Sequence, residues 1–225
     1  MLGSEIRNLV LAKLDEYTPY GPDNGRTLLA GGDSLIEVKP VYKYLELHLA
    51  EAANEKLMEV PIHRLRYKES SPSAVADTND NRIGDIALPS DFLRLHTLRM
   101  KGWTFPIHES YYPGHPVYEN QKYEWTRGNI RKPVAIVTGL GEVVSSSSNT
   151  TVKKLHYYSV APSDTHEVLD FKYISKFEST TDYDDKVAEV IALNAARKIC
   201  EAFGMTEQIG ILTGEMNAVM ENMRL

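Results

Sequence analysis

TDYDDKVAEVIALNAARKICEAFGMTEQIGILTGEMNAVMENMRL, residues 181–225, decides the fold. Val187, Val190, Ile191, Ala195, Ile199 and Phe203 recur at steps of three and four, which predicts a helix with one apolar stripe. Thr181, Asp182, Asp184 and Asp185 supply oxygens and negative charge for its start, while Arg197, Lys198 and Gly204 mark its end. A second helix follows, with Ile209, Leu212, Met216, Val219, Met220 and Met223 at the same spacing and Gly210 and Gly214 leaving a flat side. Methionines adapt to irregular surfaces, so this last face is expected to meet a partner outside the chain.

The remaining composition bounds the class. A chain of 225 residues with 42% hydrophobic content can bury a substantial core. Its formal charge of −6 argues against a surface that grips nucleic acid through phosphates. The single cysteine, Cys200, cannot close an internal disulfide and is expected to be a buried, inert thiol. The first residues, MLGSEIRNLVLAKLDEY, carry charges throughout, which is unlike a signal peptide, and no stretch approaches a membrane span. A cytoplasmic site of synthesis and assembly is expected.

From the first residue onward, Ser4–Tyr17 has a helical stripe of Ile6, Leu9, Val10, Leu14 and Tyr17. Gly and Pro make 20–33 a loop, and Ser34 with Glu37 has capping-box spacing ahead of a helix that passes Pro40, by a kink or a fresh start there, and runs to about Met58. Pro61–Tyr67 alternates as a strand would, and Lys68–Arg82 reads as a polar loop. The run IALPSDFLRLHTLRMKGWTFPIHES, 86–110, predicts a strand, a turn at Lys101–Gly102 and a return strand, a β-hairpin. Tyr111–Arg127 suggests a short irregular helix. Pro133–Thr138, Lys154–Val160 and Val168–Phe177 predict three further strands, with Ser145–Thr151 as a hairpin tip. Two helices, five or six strands and two helices make an α+β chain: a helical bundle from 1–60 and 180–225 with a β-rich insert at 61–179.

Motifs for chemistry are weak. His48, His63, His96, His108, His115, His156 and His166 show no metal-ligand spacing. Asp77, Asn79 and Asn81 resemble the opening of an EF-hand loop, but Arg82 stands where glycine is required and Leu88 where the bidentate glutamate belongs. Gly139 and Gly141 form one GxG with neither a third glycine nor a following helix. Asp182, Asp184 and Asp185 are explained by a helix start, and no nucleophile elbow is present. Neither catalytic, cofactor nor metal residues are assigned. The aromatic group Tyr111, Tyr112, Tyr118, Tyr123 and Trp125 suits a subunit interface, with stacking on a sugar or base as the alternative.

Leu88-Pro89-Ser90-Asp91-Phe92 entering a strand, Arg127-Gly128-Asn129 and Lys132-Pro133 before the next, and the terminal helix pair together resemble the head-to-tail connector proteins of tailed bacteriophages. Among these the chain looks most like the adaptor, or neck ring, proteins of short-tailed phages, including the crAss-like group. The resemblance implies a twelvefold homo-oligomeric ring beneath the portal protein, in the virion neck, that extends the DNA channel and offers the tail its attachment surface. It implies helical bundles in the ring wall and portal docking by the C-terminal segment, which assigns Met216, Val219, Met220, Met223 and Leu225 to that contact. The tail-side partner would be a tail hub or a second ring. Genome DNA would pass without specific binding, along an acidic or neutral channel surface. Two other readings stand beside it: a metal-dependent enzyme built from scattered His and Asp, and a carbohydrate-binding module using the aromatic loop 111–125.

Overall fold

A computed structural model describes residues 1–16, 38–138, 153–161 and 165–224. The chain has an α+β fold and divides into two compact units. One comprises Met1–Arg66 with Lys176–Leu225, the other Tyr67–Ser175.

The first unit is helical. It contains α1 (Gly3–Glu16), α2 (Val38–Glu59), a 3-10 turn at Ile62–Arg64, α4 (Asp185–Ala202) and α5 (Thr206–Arg224). Pro40 falls in the first turn of α2, where a helix has no use for its missing N–H, so no break is needed. Asp184 caps α4 by accepting from the Lys186 amide at 3.0 Å, and Gly204, at φ +71°, turns the chain into α5. Helix α4 packs against α1, α2 and α5. Its unbroken buried run from Val190 to Ala196 is wider than the single stripe expected, because a helix with neighbours on three sides has no solvent face there. Ala188, Ala192, Ala195 and Ala196 let those neighbours approach. Asn194 is the polar exception. Its amide donates to the Ala52 carbonyl (2.9 Å) and to Glu55 (3.2 Å), and its oxygen accepts from Arg197 Nε (3.2 Å), which satisfies the group.

The methionine face of α5 lies inside this unit. Met216, Met220 and Met223 are buried with Leu212, and Val219 is half-buried; Leu225 lies outside the described residues. Lys13 ties the group together, reaching Glu189 of α4 (3.7 Å) and Glu215 of α5 (3.6 Å). The partner that the stripe expected outside the chain is α4 of the same chain.

The second unit holds two antiparallel sheets. The strands are β1 (Lys68–Glu69), β2 (Ala74–Ala76), β3 (Ile83–Ala87), β4 (Phe92–Met100), β5 (Val134–Thr138), β6 (Lys154–Tyr158) and β7 (Val168–Ser175), with the short helix α3 (Pro116–Asn120) after β4. One sheet has the order β1-β7-β4, the other β2-β3-β6-β5. A single core joins them, with Phe92, Leu95, Leu98, Phe171 and Tyr173 from the first and Ile86, Ala135, Val137, Leu155 and Tyr157 from the second.

Three expectations are corrected. Pro61–Tyr67 is not a strand: Pro61 leads into the 3-10 turn at Ile62–Arg64, which leaves no run long enough to pair. Lys68–Arg82 contains β1 and β2, strands of two and three residues that are too short to show a period in sequence. The 86–110 hairpin is absent. Leu88–Asp91 carries the chain from one sheet to the other, with Asp91 accepting from Lys68 (2.9 Å) and Tyr173 (3.0 Å). The turn after Met100 is made, with Gly102 at φ +84°, but the return segment forms one bridge, Leu98–Ile107, and β4 pairs with β7 instead. The loop at 20–33, the Ser34/Glu37 cap, the GxG at 139–141 and the 145–151 tip lie outside the described residues.

Candidate functional site

The β unit carries a concave site of about 350 Å³, lined by Arg82, Glu124, Trp125, Arg127, Gly128, Asn129, Ile130, Ser159, Val160 and Ala161. Its wall is the segment that follows α3. Pro116 opens that helix, and the His115 side chain caps it by accepting from the Val117 amide at 3.2 Å. Buried Gln121 then braces the loop: its amide donates to the Val117 carbonyl (2.8 Å) and its oxygen accepts from the Gly128 amide (2.8 Å). Arg127 adds a bond from Nε to the Gln121 carbonyl at 3.0 Å. Held by these bonds, the loop presents Trp125 with 91% of its surface exposed and Tyr123 with 63%.

The charges at the rim cancel. Asp80 accepts from Arg82 Nε (3.1 Å) and from Arg127 Nη1 (2.8 Å), and Arg82 Nη1 also reaches Glu124 at 3.3 Å. The hydrogen bond from the Arg82 side chain holds the Asp80 carboxyl below its usual range, against the cost of burial; the Arg82 amide and the Arg127 charge add to the effect. A carboxylate whose folded pKa is depressed stabilises the fold fully above its unfolded pKa, near 4, and loses that contribution as pH falls from there through the lower folded pKa. Amide exchange at Gly128 should therefore accelerate as pH drops below about 5 relative to an unstructured peptide, and Asp80→Asn should remove that acid dependence. An unchanged acid profile in Asp80→Asn would show that Asp80 does not hold this loop.

The floor is strained. Ser159, which ends β6, has φ +113°, a region that side chains rarely adopt. The conformation aims two successive amides, Ser159 (2.8 Å) and Val160 (3.0 Å), at the Arg82 carbonyl, while the Ser159 carbonyl accepts from Trp103 Nε1 at 3.0 Å. Every backbone group of Ser159 is thereby used. Its hydroxyl is buried and, among the described residues, without a hydrogen-bond partner. Gly128 covers it so closely that an added Cβ would stand 2.9 Å from Oγ.

The five aromatics expected to act together are divided. Tyr112 packs against the inter-sheet core, and Tyr111 and Tyr118 cover Ile83, Ile136 and Tyr158 on the outer face of the four-stranded sheet. Tyr111 also extends that sheet: its amide donates to Ala135 (3.0 Å) and its carbonyl accepts from Val137 (2.8 Å). Only Tyr123 and Trp125 of the five are exposed, Trp125 lining the site. Arg82, Gln121 and Ser159 belong to no motif that would mark them as site residues in the sequence. Backbone strain has no signature in composition, and Arg82 was visible only as the residue that spoils an EF-hand.

The other chemistry-bearing residues have structural partners. Asp77 accepts from the Asn79 amide at 2.7 Å, closing its own turn. His156 pairs with Asp85 at 2.6 Å, and His166 bridges the Tyr157 hydroxyl (2.5 Å) and the Asn81 carbonyl (2.8 Å). Asp182 accepts from Arg66 and from the Met1 amino group. Cys200 is buried, and burial pushes its thiol up to about 11. Among the described residues, no three His, Cys, Asp or Glu side chains converge to hold a metal ion, and no helix is long and apolar enough to cross a membrane. Neither a protein-family model nor a curated protein matches the chain.

Proposed function

We propose that the protein is a structural, non-enzymatic virion component: a homo-oligomeric ring of the head–tail neck, seated between portal and tail, that extends the DNA channel and gives the tail its attachment surface. The ring is assembled in the host cytoplasm. One observation supports a wall-forming role above others. Helix α2 has one buried apolar face and two exposed apolar residues well away from it. Leu45, Ala52, Ala53 and Leu57 are buried inside the helical unit. At about 100° per residue, Leu47 and Met58 fall within about 20° of each other and roughly opposite that buried stripe. Leu47 is 63% exposed and Met58 also faces solvent, with Tyr44 at the margin beside Phe203. Glu51 and Asn54 lie between them, so this outward side is a mixed apolar and polar surface of the kind that suits the helix of a neighbouring subunit. The net charge of −6 is in keeping with a conduit along which DNA slides.

The test is electron microscopy and light scattering of the purified protein, alone and mixed with its portal. Rings, or portals capped by an added ring, are expected for the wild type. Leu47→Asp should abolish both while leaving the thermal transition within about 0.5 kcal/mol, as for an exposed position. A protein that stays monomeric with portal present, or a Leu47→Asp variant that still forms rings, would overturn this assignment.

A further inference from the structure

We propose that the β unit carries a binding site for a neutral saccharide ring, with the exposed face of Trp125 as its stacking platform and the polar edges of Arg82, Glu124 and Asn129 as its hydrogen-bonding rim. The site is independent of ring formation and assigns Trp125 to a ligand instead of a subunit contact.

Four features select this class of ligand. The first is the indole itself, left 91% exposed beside a concave space of about 350 Å³. That volume is near the lower end of small-molecule pockets, roughly 300–1000 Å³, and admits one or two sugar rings. A large aromatic surface held in water by a braced loop gains from any flat apolar partner, and the C–H face of a pyranose is one.

The second feature is neutrality. Two guanidiniums, Arg82 and Arg127, are balanced by Asp80 and Glu124 within the same network. A phosphate needs uncompensated cations, and a cationic ligand would face both arginines. Third, the polar groups present flat, paired donors and acceptors. Asn129 Oδ1 accepts from the Arg131 amide (3.0 Å) and the Lys132 amide (3.1 Å), which fixes its plane and leaves the amide nitrogen as donor. Glu124 reaches Arg82 through one oxygen, and its side chain remains 66% exposed. Adjacent hydroxyls on a sugar ring match such edges.

The fourth feature is the floor. A strained backbone and a buried hydroxyl with no partner among the described residues coincide at Ser159, a combination that costs stability and persists most often at functional sites. Gly128 is the residue between that hydroxyl and the loop, and its lack of a side chain is what lets the two approach.

The chain has two tryptophans, and only Trp125 is accessible: Trp103 is buried and hydrogen-bonded. Quenching of tryptophan fluorescence by iodide therefore reports on Trp125. Glucose, galactose, N-acetylglucosamine, cellobiose, lactose and chitobiose are titrated into the full chain to about 10 mM, in reach of a millimolar Kd. At least one is expected to protect Trp125 saturably and to shift the Gly128 amide resonance. In calorimetry Trp125→Ala should weaken that sugar at least tenfold, with Trp125→Phe intermediate and all three chains showing the same thermal transition. Several results would overturn the site: no protection by any of these sugars, protection that tracks protein concentration instead of sugar, preference for glucuronate or inorganic phosphate, or equal affinity in Trp125→Ala. None of these outcomes bears on ring formation, which is read separately with the portal.

Discussion

Replacing Gly84 with valine is expected to cost about 3 kcal/mol and to destabilise the β unit as a whole, because its two sheets share one core. Gly84 lies in β3, flanked by β2 and β6, and the Tyr157 side chain crosses directly over it. An added Cβ would collide with the Tyr157 hydroxyl and stand 2.5 Å from the Val75 carbonyl and 2.6 Å from the Tyr157 ring. The ring has little freedom to withdraw. It is fully buried, packs edge-on to Trp103, and donates its hydroxyl to His166 Nδ1. The Asn81 carbonyl can only accept, so His166 carries its proton on Nε2 and Nδ1 is left as the acceptor. Tyr157→Phe alone should cost about 1–2 kcal/mol by leaving that nitrogen unsatisfied. In the double variant the two losses should sum to less than the singles, because removing the hydroxyl relieves the nearest clash. Urea titrations of the four chains provide the measurement. A Gly84→Val protein as stable as wild type would mean that Tyr157 does not occupy this position.

A chain ended after Gly204 should lose the whole helical unit, not α5 alone. Leu212, Met216, Met220 and Met223 are all buried, and burying each is worth about 1.5–3 kcal/mol. Their combined loss is about 6–12 kcal/mol, comparable with the entire stability of a typical domain, about 5–15 kcal/mol. The far-UV helical signal should therefore fall by much more than the share of α5. Retention of a cooperative transition with α1, α2 and α4 intact would refute the packing described for α5. For the same reason, loss of portal binding after this truncation would not locate a docking surface. A substitution on the outside of α2, such as Leu47→Asp, separates binding from folding.

Much of this architecture could be read from residue patterns, and the failures have a common physical origin. Helices α1, α2, α4 and α5 announce themselves because a 3.6-residue period persists over three or more turns and is closed by Asp184 and Gly204. β5, β6 and β7 were found by their β-branched and aromatic runs. What could not be read was pairing. The 86–110 run has the composition of a hairpin turning at Lys101–Gly102, yet its first strand is split between two sheets and its return segment makes one bridge, because β3 and β4 pair with β6 and β7, some seventy positions away. The same applies to the methionine stripe, whose period is legible but whose partner is not; Ala188, Ala192 and Ala196, which open α4 to its neighbours, look unremarkable alone. At the candidate site the aromatics were visible as a group. Their division into half-buried Tyr111, Tyr112 and Tyr118 and exposed Tyr123 and Trp125 depends on geometry: Tyr111 pairs with β5, while the Gln121 brace holds the loop that carries Trp125.

Helix α4 is the common neighbour of α1, α2 and α5, and it begins at Asp185. During synthesis, α1 and α2 leave the ribosome well before the surface they must cover exists, whereas every strand has already been made. The β unit thus has a head start of seconds at about 5–20 residues per second, and the amphipathic segments α1 and α2 must wait, exposed, until α4 and α5 have been made. The helical unit therefore cannot close around α4 until translation has passed Ala202, so the β unit is the part that can fold while the helices still lack their common neighbour.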